Sequence, residues 1–366
     1  MLPDAVYLLP LRRTALETDV AELGAYLAQV ADVLPVVVAD GSPPSVRAAH
    51  AAVWGPRVRV VPVPAPLPGA NGKVVGVLAG LAATTAEHVV VADDDVRHDG
   101  ETLRRAVALL ACADAVVPQN VYDPLPWQAR WDTSRSLLNR ALGSDYPGTL
   151  AFRRSALGPG GYDPRVLFEN LELLRTVTAR GGRVHHALDL YVTRRPPTVR
   201  KAAEQRVRQA YDSFAQPGRL AVELSILPVL AAALARPAPG RPRTTVPALL
   251  ALTAVVLAEA GRRRAGGRSR FPATAALWAP LWVAERAVCS WLALGWRLRG
   301  GVPYAGTRLR TAAHSVHHLR RLHRGAPAPR HRPDRSPDHE PDHQPDDRPG
   351  DHPDGHPDSH PDQEAA

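Results

Sequence analysis

Cysteine is scarce in this chain, and its scarcity excludes a fold held together by disulfides. Only Cys112 and Cys289 occur among 366 residues, too few for the disulfide framework that small secreted domains use. The first residues also lack the positively charged start and the apolar core of a signal peptide. We therefore expect the front of the chain to remain in the cytoplasm.

Basic stretches that match a recognised nucleic-acid-binding module are missing too, so nucleic acid is the least favoured partner. The formal net charge is nonetheless +9. Residues 333–364 contain eleven Asp or Glu against two Arg, a local charge of −9, so the rest of the chain carries +18. A body this basic suits anionic lipid or a phosphorylated substrate.

No tract reaches a clean run of about 20 apolar residues, the length that spans a membrane as a helix. After residue 217 there are three shorter or interrupted tracts, at residues 220–235, 244–258 and 271–296. Arginine clusters between the tracts and tryptophans near their ends favour membrane contact. We expect two short spanning helices followed by an amphipathic interfacial segment; a soluble helical bundle is the alternative.

The end of the chain is a repeat of eight tetrapeptides that each begin with proline, at residues 333–364. Recurrent proline removes helix hydrogen-bond donors, and the repeats contain almost nothing apolar to bury. We therefore predict a disordered tail over residues 333–366. The preceding parts are predicted as a first folded domain over residues 1–217, membrane-associated helices over 218–300 and a basic cytoplasmic segment over 301–332.

What the first part of the chain does contain is an alternation of short apolar strands with helices. Strand patterns occur at residues 5–9, 36–39, 57–63, 88–92 and 115–117, with a weaker one at 149–152. Helical spacing occurs at residues 15–30, 45–53, 73–83, 101–111 and 171–179. Because strands alternate with helices, we predict an α/β fold with a mostly parallel sheet covered on both faces.

The most informative stretch lies where the fourth of these strands ends. The run His88–Ala92 is followed at once by Asp93, Asp94 and Asp95. Open α/β sheets bind ligands beyond the carboxyl ends of their strands, and adjacent carboxylates repel one another unless a cation lies between them. Ions such as Mg²⁺ prefer oxygen ligands and join carboxylates to substrate phosphates. The stretch predicts a metal–diphosphate site, although an acidic N-cap of the next helix fits the same residues.

Other polar residues accompany this stretch. Asp40 ends the second strand and can reach the same crevice, although it also fits a turn cap. Lys73 stands at a helix start, where N–H groups and an ammonium favour a phosphate; a solvated lysine is the ordinary alternative. Glu169 precedes the helix predicted at residues 171–179, and Glu172 lies in its first turn. Gln205 and Arg208 lie before the first apolar tract.

The order of these motifs resembles that of the family-2 glycosyltransferases with the GT-A fold, a Rossmann-like fold, and in particular their membrane-associated branch. The resemblance covers roughly residues 3–310. It implies that Asp40 contacts the nucleotide base and that Lys73, after Asn71-Gly72, lies near the nucleotide. It also implies that Asp93-Asp94-Asp95 is the Asp-x-Asp motif, which contacts the ribose–diphosphate and holds Mg²⁺ or Mn²⁺ through Asp93 and Asp95.

One departure from the family pattern concerns the catalytic base. The family usually has Glu-Asp at a helix start with the Asp as base, whereas this chain has Glu169-Asn170. An amide cannot take a proton at neutral pH, so the role falls to Glu169 or Glu172. A base is not needed at all if the acceptor is already ionised, as a lipid phosphate would be.

A second departure concerns the QxxRW motif of the family. Gln205 and Arg208 are kept, but the tryptophan that usually stacks against an acceptor sugar is Gln209. The missing aromatic ring argues against processive polymer synthesis and favours a single transfer.

Taken together, the resemblance implies a membrane-associated enzyme with its catalytic domain in the cytoplasm. It would move a sugar from a nucleotide-diphosphate sugar to a lipid-linked or glycan acceptor, with inversion. A non-catalytic nucleotide-sugar-binding membrane protein is one alternative, favoured by the missing Asp and Trp. A nucleotidyltransferase is the other, but residues 9–14 lack the glycines of its nucleotide loop.

Overall fold

A mixed sheet with helices on both faces forms the first part of the chain, and a set of longer helices follows it. The computed structural model describes residue 2 and residues 4–236, 242–304 and 306–324. The tail predicted to be disordered, residues 333–366, lies outside the described residues.

The strands of the main sheet agree with the α/β prediction. They are β1 (Ala5–Leu11), β2 (Val36–Asp40), β3 (Val58–Pro62), β4 (His88–Ala92), β5 (Val96–Arg97), β6 (Ala115–Tyr122), β7 (Thr149–Arg153) and β8 (Val184–Arg194). Their order is β3-β2-β1-β4-β7-β6-β8-β5. Six of these strands run in one direction, and β7 and β5 run against them. The predicted mostly parallel sheet is confirmed.

The helices lie between and after these strands. They are α1 (Val20–Ala31), α2 (Pro44–Trp54), α3 (Gly72–Ala82), α4 (Gly100–Ala108), α5 (Trp127–Leu142), α6 (Arg154–Leu157), α7 (Glu169–Ala179), α8 (Val199–Tyr211), α9 (Pro217–Ala235), α10 (Thr245–Arg263), α11 (Ala279–Leu298) and α12 (Val316–Leu322). A hairpin of β9 (Val302–Tyr304) and β10 (Thr307–Leu309) precedes α12.

Both faces of the sheet are apolar because its central strands are buried on both sides. Successive side chains of a strand point to opposite faces. Tyr7 and Leu9 accordingly pack in one core cluster, which α1 and α4 cover. Val6 and Leu8 pack in the other, which α3 and α7 cover. These two clusters fix the sheet between its helices and hold the strand ends in place.

Several elements have no counterpart in the sequence patterns, among them α5 and β8. The buried side of α5 includes Gln128, Asp132 and Arg140, so it lacks an apolar period. Burial along β8 is irregular, which hides the alternation of a strand. The first helix also begins at Val20, later than its pattern predicted.

Two of the later apolar segments have the length and apolar character that crossing a bilayer requires, namely α9 and residues 245–269, which contain α10 and the six residues after it. The rest of the chain buries only 6% and 17% of their apolar windows. A core helix of a soluble protein would be mostly buried, so this exposure favours the membrane over the soluble bundle. The third tract forms α11, which packs against α8 and α9.

Candidate functional site

The carboxyl ends of β1, β2, β4 and β8 meet at one edge of the sheet, because these strands are parallel. The residues that follow β4 are Asp93, Asp94 and Asp95, and Arg13 follows β1 closely. Asp40 and Arg194 end β2 and β8. The strand order therefore brings polar groups from distant parts of the sequence to one place.

The acidic stretch is a turn between β4 and β5 and is not a helix cap. Asp99 caps α4 instead, accepting from the backbone N–H of Thr102 at 2.7 Å. The alternative in which Asp93 to Asp95 cap this helix is therefore wrong. The backbone N–H of Asp93 donates to the carbonyl of Gly148 at 2.8 Å, which ties the turn to the start of β7.

Lys73 joins two of the predicted site residues. Its Nζ lies 2.5 Å from Asp93 Oδ1 and 2.8 Å from Glu169 Oε1. Asn71 caps α3 by accepting from the N–H of Lys73, and this fixes the start of that helix. Burial alone would lower the pKa of the Lys73 ammonium, but Asp93 and Glu169 outweigh it and raise that pKa.

Two arginines that sequence reasoning missed hold the rest of the acidic turn. Arg194 lies 3.0 Å from Asp95 and 3.7 Å from Asp93, and Arg13 lies 3.4 Å from Asp94. Burial raises the pKa of Asp95, Arg194 lowers it, and Asp93 and Asp94 raise it further. The three carboxylates are thus close enough to act on one another, and cationic side chains offset part of their charge.

Gly148 makes room for this arrangement. A Cβ at this position would lie 2.6 Å from Asp93 Oδ2 and 3.4 Å from the guanidinium carbon of Arg194. Any larger residue would have to displace the Asp93 carboxylate, so the glycine keeps the space beside it open.

Asp40 is at the same edge of the sheet, but its carboxylate is fully buried. It accepts from the Ser42 N–H at 2.8 Å, and its other oxygen lies 2.7 Å from His50 Nδ1. The Asp40–Ser42 contact is the turn-cap alternative considered above. Next to it, a cavity of about 490 Å³ is lined by Gly41, Ser42, Pro64, Lys73 and Tyr304, among others. The contact of Asp40 with a nucleotide base stays a prediction.

A second cavity, of about 300 Å³, is also lined by Lys73, and we call it the polar cavity. Most of the predicted site residues line it together: Lys73, Asp93, Glu169, Asn170, Gln205 and Arg208. Arg194, Asp212, Arg219 and Arg286 line it as well. No sequence signal distinguished these four, since Arg194 lies on the unrecognised strand β8 and the others lie around the apolar tracts.

Glu172 is separated from this group. Its side chain is fully buried, and its two oxygens accept from the backbone N–H of His314 at 2.7 Å and contact the His314 ring at 2.9 Å. It holds the segment before α12 against α7, and it does not line the polar cavity. Parts of the segment predicted as basic and cytoplasmic, among them Tyr304 and His314, therefore contact residues of the first 217 positions.

An apolar cavity of about 690 Å³ adjoins the polar one, between α5, α9, α10 and α11. Its walls include Ile226, Leu250, Ala254, Leu257 and Val283. The two cavities share a further set of lining residues, which are Asn139, Tyr146, Gln216, Arg219 and Arg286. The Nε and Nη1 atoms of Arg286 are buried there, and neither has a hydrogen-bond partner in the described part of the chain.

Comparison with protein families gives one match. Residues 23–212, just over half of the chain, match the family model described as glycosyltransferase-like family 2. No curated protein sequence is significantly similar to the chain.

Several solved structures are similar to the chain at low sequence identity and with TM-scores below 0.5. A mannosyltransferase from Pyrobaculum calidifontis in complex with GDP-mannose and Mn²⁺ is 19% identical, covering 79% of this chain and 87% of its own with a TM-score of 0.45. A glucosyl-3-phosphoglycerate synthase from Mycobacterium tuberculosis with Mn²⁺, UDP and phosphoglyceric acid is 20% identical, covering 54% and 73% with a TM-score of 0.36. The structure of that synthase with Mn²⁺ and UDP-glucose is 18% identical to this chain. The match covers 54% of this chain and 73% of the synthase, with a TM-score of 0.37.

Proposed function

Because the chain belongs to glycosyltransferase-like family 2, we propose that it moves a sugar from a nucleotide-diphosphate sugar to an acceptor bound in the polar cavity. One observation carries this proposal. The turn after β4 presents Asp93 to the same cavity as Lys73, Glu169 and Arg194, with Lys73 2.5 Å from Asp93. Such a group of charges suits a diphosphate that must be bound and then released.

A divalent cation, Mg²⁺ or Mn²⁺, fits the acidic turn by the chemistry of its donors. Hard cations of this kind are usually held by one or two carboxylates together with substrate phosphates and water, and Asp93 and Asp95 offer such oxygens. Among the described residues no group of three or more His, Cys, Asp or Glu is arranged to hold a metal, so the substrate would complete the site. Bound there, the ion would neutralise charge on the departing diphosphate.

The cationic side chains have complementary roles in this proposal. Lys73, at the start of α3, would contact the diphosphate together with the N–H groups of that helix terminus. Arg194 and Arg13 would hold the acidic turn in position, since they already contact Asp95 and Asp94. The cavity beside Gly41 and Ser42 has room for the nucleoside, with Asp40 supporting the backbone there.

The acceptor would enter from the side of α8. Gln205 and Arg208 line the polar cavity there, and the Arg208 guanidinium lies over the Tyr304 ring at 5.2 Å. The sugar would be transferred once, by an in-line displacement with inversion at the anomeric carbon. The loss of the family's tryptophan at Gln209 favours a single transfer over polymer synthesis.

A lipid-linked acceptor is favoured by the apolar cavity. This cavity shares lining residues with the polar one and lies between α9 and α10, the helices that are apolar enough to cross a membrane. An apolar chain that leaves the bilayer between these helices would reach the donor site without crossing water. We therefore propose that the enzyme works at the cytoplasmic face of the cell membrane.

The test is a transfer assay on the purified full chain in detergent. We expect sugar transfer from UDP-glucose or GDP-mannose to a membrane lipid extract in the presence of Mn²⁺, with the product identified by mass spectrometry. Adding excess EDTA should reduce the initial rate at least about 100-fold, because charge on the leaving diphosphate is then not neutralised.

Soluble glycans in place of the extract provide the second arm of this assay. Transfer to soluble glycans alone would contradict the proposal of a lipid acceptor, but the proposed glycosyltransferase activity would stand. Metal-dependent donor binding with no transfer to either acceptor would instead support the non-catalytic binding protein.

A further inference from the structure

We propose that Asp212 accepts the proton of the acceptor hydroxyl during transfer. This inference rests on the function proposed above and assigns the step for which Asn170 is chemically unfit. Asp212 lies at the end of α8, in the turn that leads to α9, and its side chain lines the polar cavity.

The carboxylates that the sequence favoured for this step are otherwise engaged. Glu169 is in an ion pair with Lys73 at 2.8 Å, and Glu172 is buried against His314, away from the cavity. The amide of Asn170 donates to the carbonyl of Pro147 at 2.8 Å and cannot take a proton at neutral pH. For an acceptor hydroxyl, a carboxylate on another element is therefore the better candidate for the proton acceptor.

Asp212 has the position that this role requires, and one of its carboxylate oxygens is free to accept a hydrogen bond. It shares the polar cavity with Glu169 and with Arg208, one turn earlier on α8. Its Oδ1 is buried and has no hydrogen-bond partner in the part of the chain that the structure describes. A buried carboxylate oxygen without a donor is costly, and a substrate hydroxyl that donates to Asp212 would remove that cost.

The charges around Asp212 suit a proton acceptor. Burial, and after it the charge of Glu169, raises the pKa of this carboxyl, and the net pKa is about 8. Arg208, Arg286 and Arg219 act in the opposite direction. A base works best when its pKa lies near the working pH, so Asp212 can take a proton and release it near neutrality.

The acceptor oxygen forms a bond to the anomeric carbon with its own electron pair, and the bond from that carbon to the diphosphate oxygen breaks. The nucleoside diphosphate leaves with the electrons of that bond, and the hydroxyl proton passes to Asp212. Solvent takes the proton once the product has left.

The pH dependence of kcat for Asp212→Asn tests this inference. For the wild type we expect kcat to rise with pH through the region near 8, because Asp212 must be deprotonated to act. Asp212→Asn should lower kcat by about 10²–10⁴-fold and remove that rise, while the KM for the donor and the thermal midpoint stay unchanged. Asp212→Glu should restore part of the rate together with a pH-dependent rise.

Two further variants serve for comparison. Glu169→Gln should keep the rise of kcat with pH, whether or not its rate falls. Asp189→Asn removes an exposed carboxylate that pairs with Arg105 and should behave like the wild type in rate and profile.

Three results would overturn the inference while the proposed function stands. One is an Asp212→Asn variant that keeps the rate and the pH dependence. A second is a loss of donor affinity or of thermal stability in that variant, which would make Asp212 structural. The third is a wild-type kcat that does not change with pH, as an already ionised acceptor would give. Absence of transfer by the wild type would overturn the proposed function itself.

Discussion

Replacement of Asp93 by asparagine is expected to lower the rate of sugar transfer about 1,000-fold. Asn keeps the shape of the side chain but removes the charge that faces Lys73 at 2.5 Å and that a divalent cation requires. Charge stabilisation by a metal is worth several kcal/mol, and each 1.36 kcal/mol is tenfold in rate. The measurement is the initial rate with UDP-glucose or GDP-mannose and saturating Mn²⁺.

The matched control for this variant is Asp32→Asn. Asp32 lies at the end of α1, is exposed and forms an ion pair with Arg57. It does not line either cavity of the site. It should keep the wild-type rate. An Asp93→Asn variant that retains its rate within about threefold, with unchanged dependence on Mn²⁺, would contradict the role of the acidic turn.

Replacement of Arg140 by methionine is expected to give the largest loss of stability, about 3 kcal/mol or more. Arg140 is fully buried, and its guanidinium donates to acceptors on several elements. These acceptors are Gln119 Oε1 (3.1 Å), Leu188 O (2.9 Å), Tyr191 Oη (2.9 Å), Gly261 O (3.2 Å) and Arg264 O (2.6 Å). Methionine fills much of the same volume but leaves these acceptors unpaired in a buried place, where each costs free energy. Leaving a buried polar group without its hydrogen-bond partner costs about 1–3 kcal/mol, and several such bonds are lost at once here.

Thermal unfolding of the purified protein in detergent measures this loss. For a domain of about 200 residues, 1 kcal/mol shifts the midpoint by about 2–4 °C, so Arg140→Met should unfold at least about 6 °C earlier. Arg105→Met, which breaks an exposed pair with Asp189, is the control and should shift it by about 2 °C or less. A midpoint for Arg140→Met equal to that of the control would contradict the stabilising role.

Much of the fold and part of the site could be predicted from the sequence, because both depend on local patterns. Apolar runs that end in polar residues located the strands and their carboxyl ends, and the acidic turn follows one such run. Parallel strands then bring these ends to one edge, and the chain indeed brings Lys73 to Asp93 and Glu169.

The rest depends on contacts between distant residues that no local pattern encodes. Arg194 reaches the site because β8 pairs with both β5 and β6. The sequence of β8 has no regular alternation of apolar and polar residues that would have predicted this strand. Asp212 looks like any acid at a helix end until α9 and α11 enclose it with Arg219 and Arg286. Glu172 was predicted as a site residue, but the segment around His314, distant in sequence, packs over it and donates a backbone hydrogen bond to its carboxylate.

The most direct test of the account is the anomalous scattering of Mn²⁺ in crystals of the full chain grown with a nucleoside diphosphate. We predict one ion within about 2.0–2.3 Å of oxygens of Asp93 or Asp95 and of the diphosphate. Crystals of Asp93→Asn under the same conditions should lose that ion. An ion bound to the diphosphate with neither carboxylate near it, or a nucleotide bound elsewhere on the chain, would contradict the account.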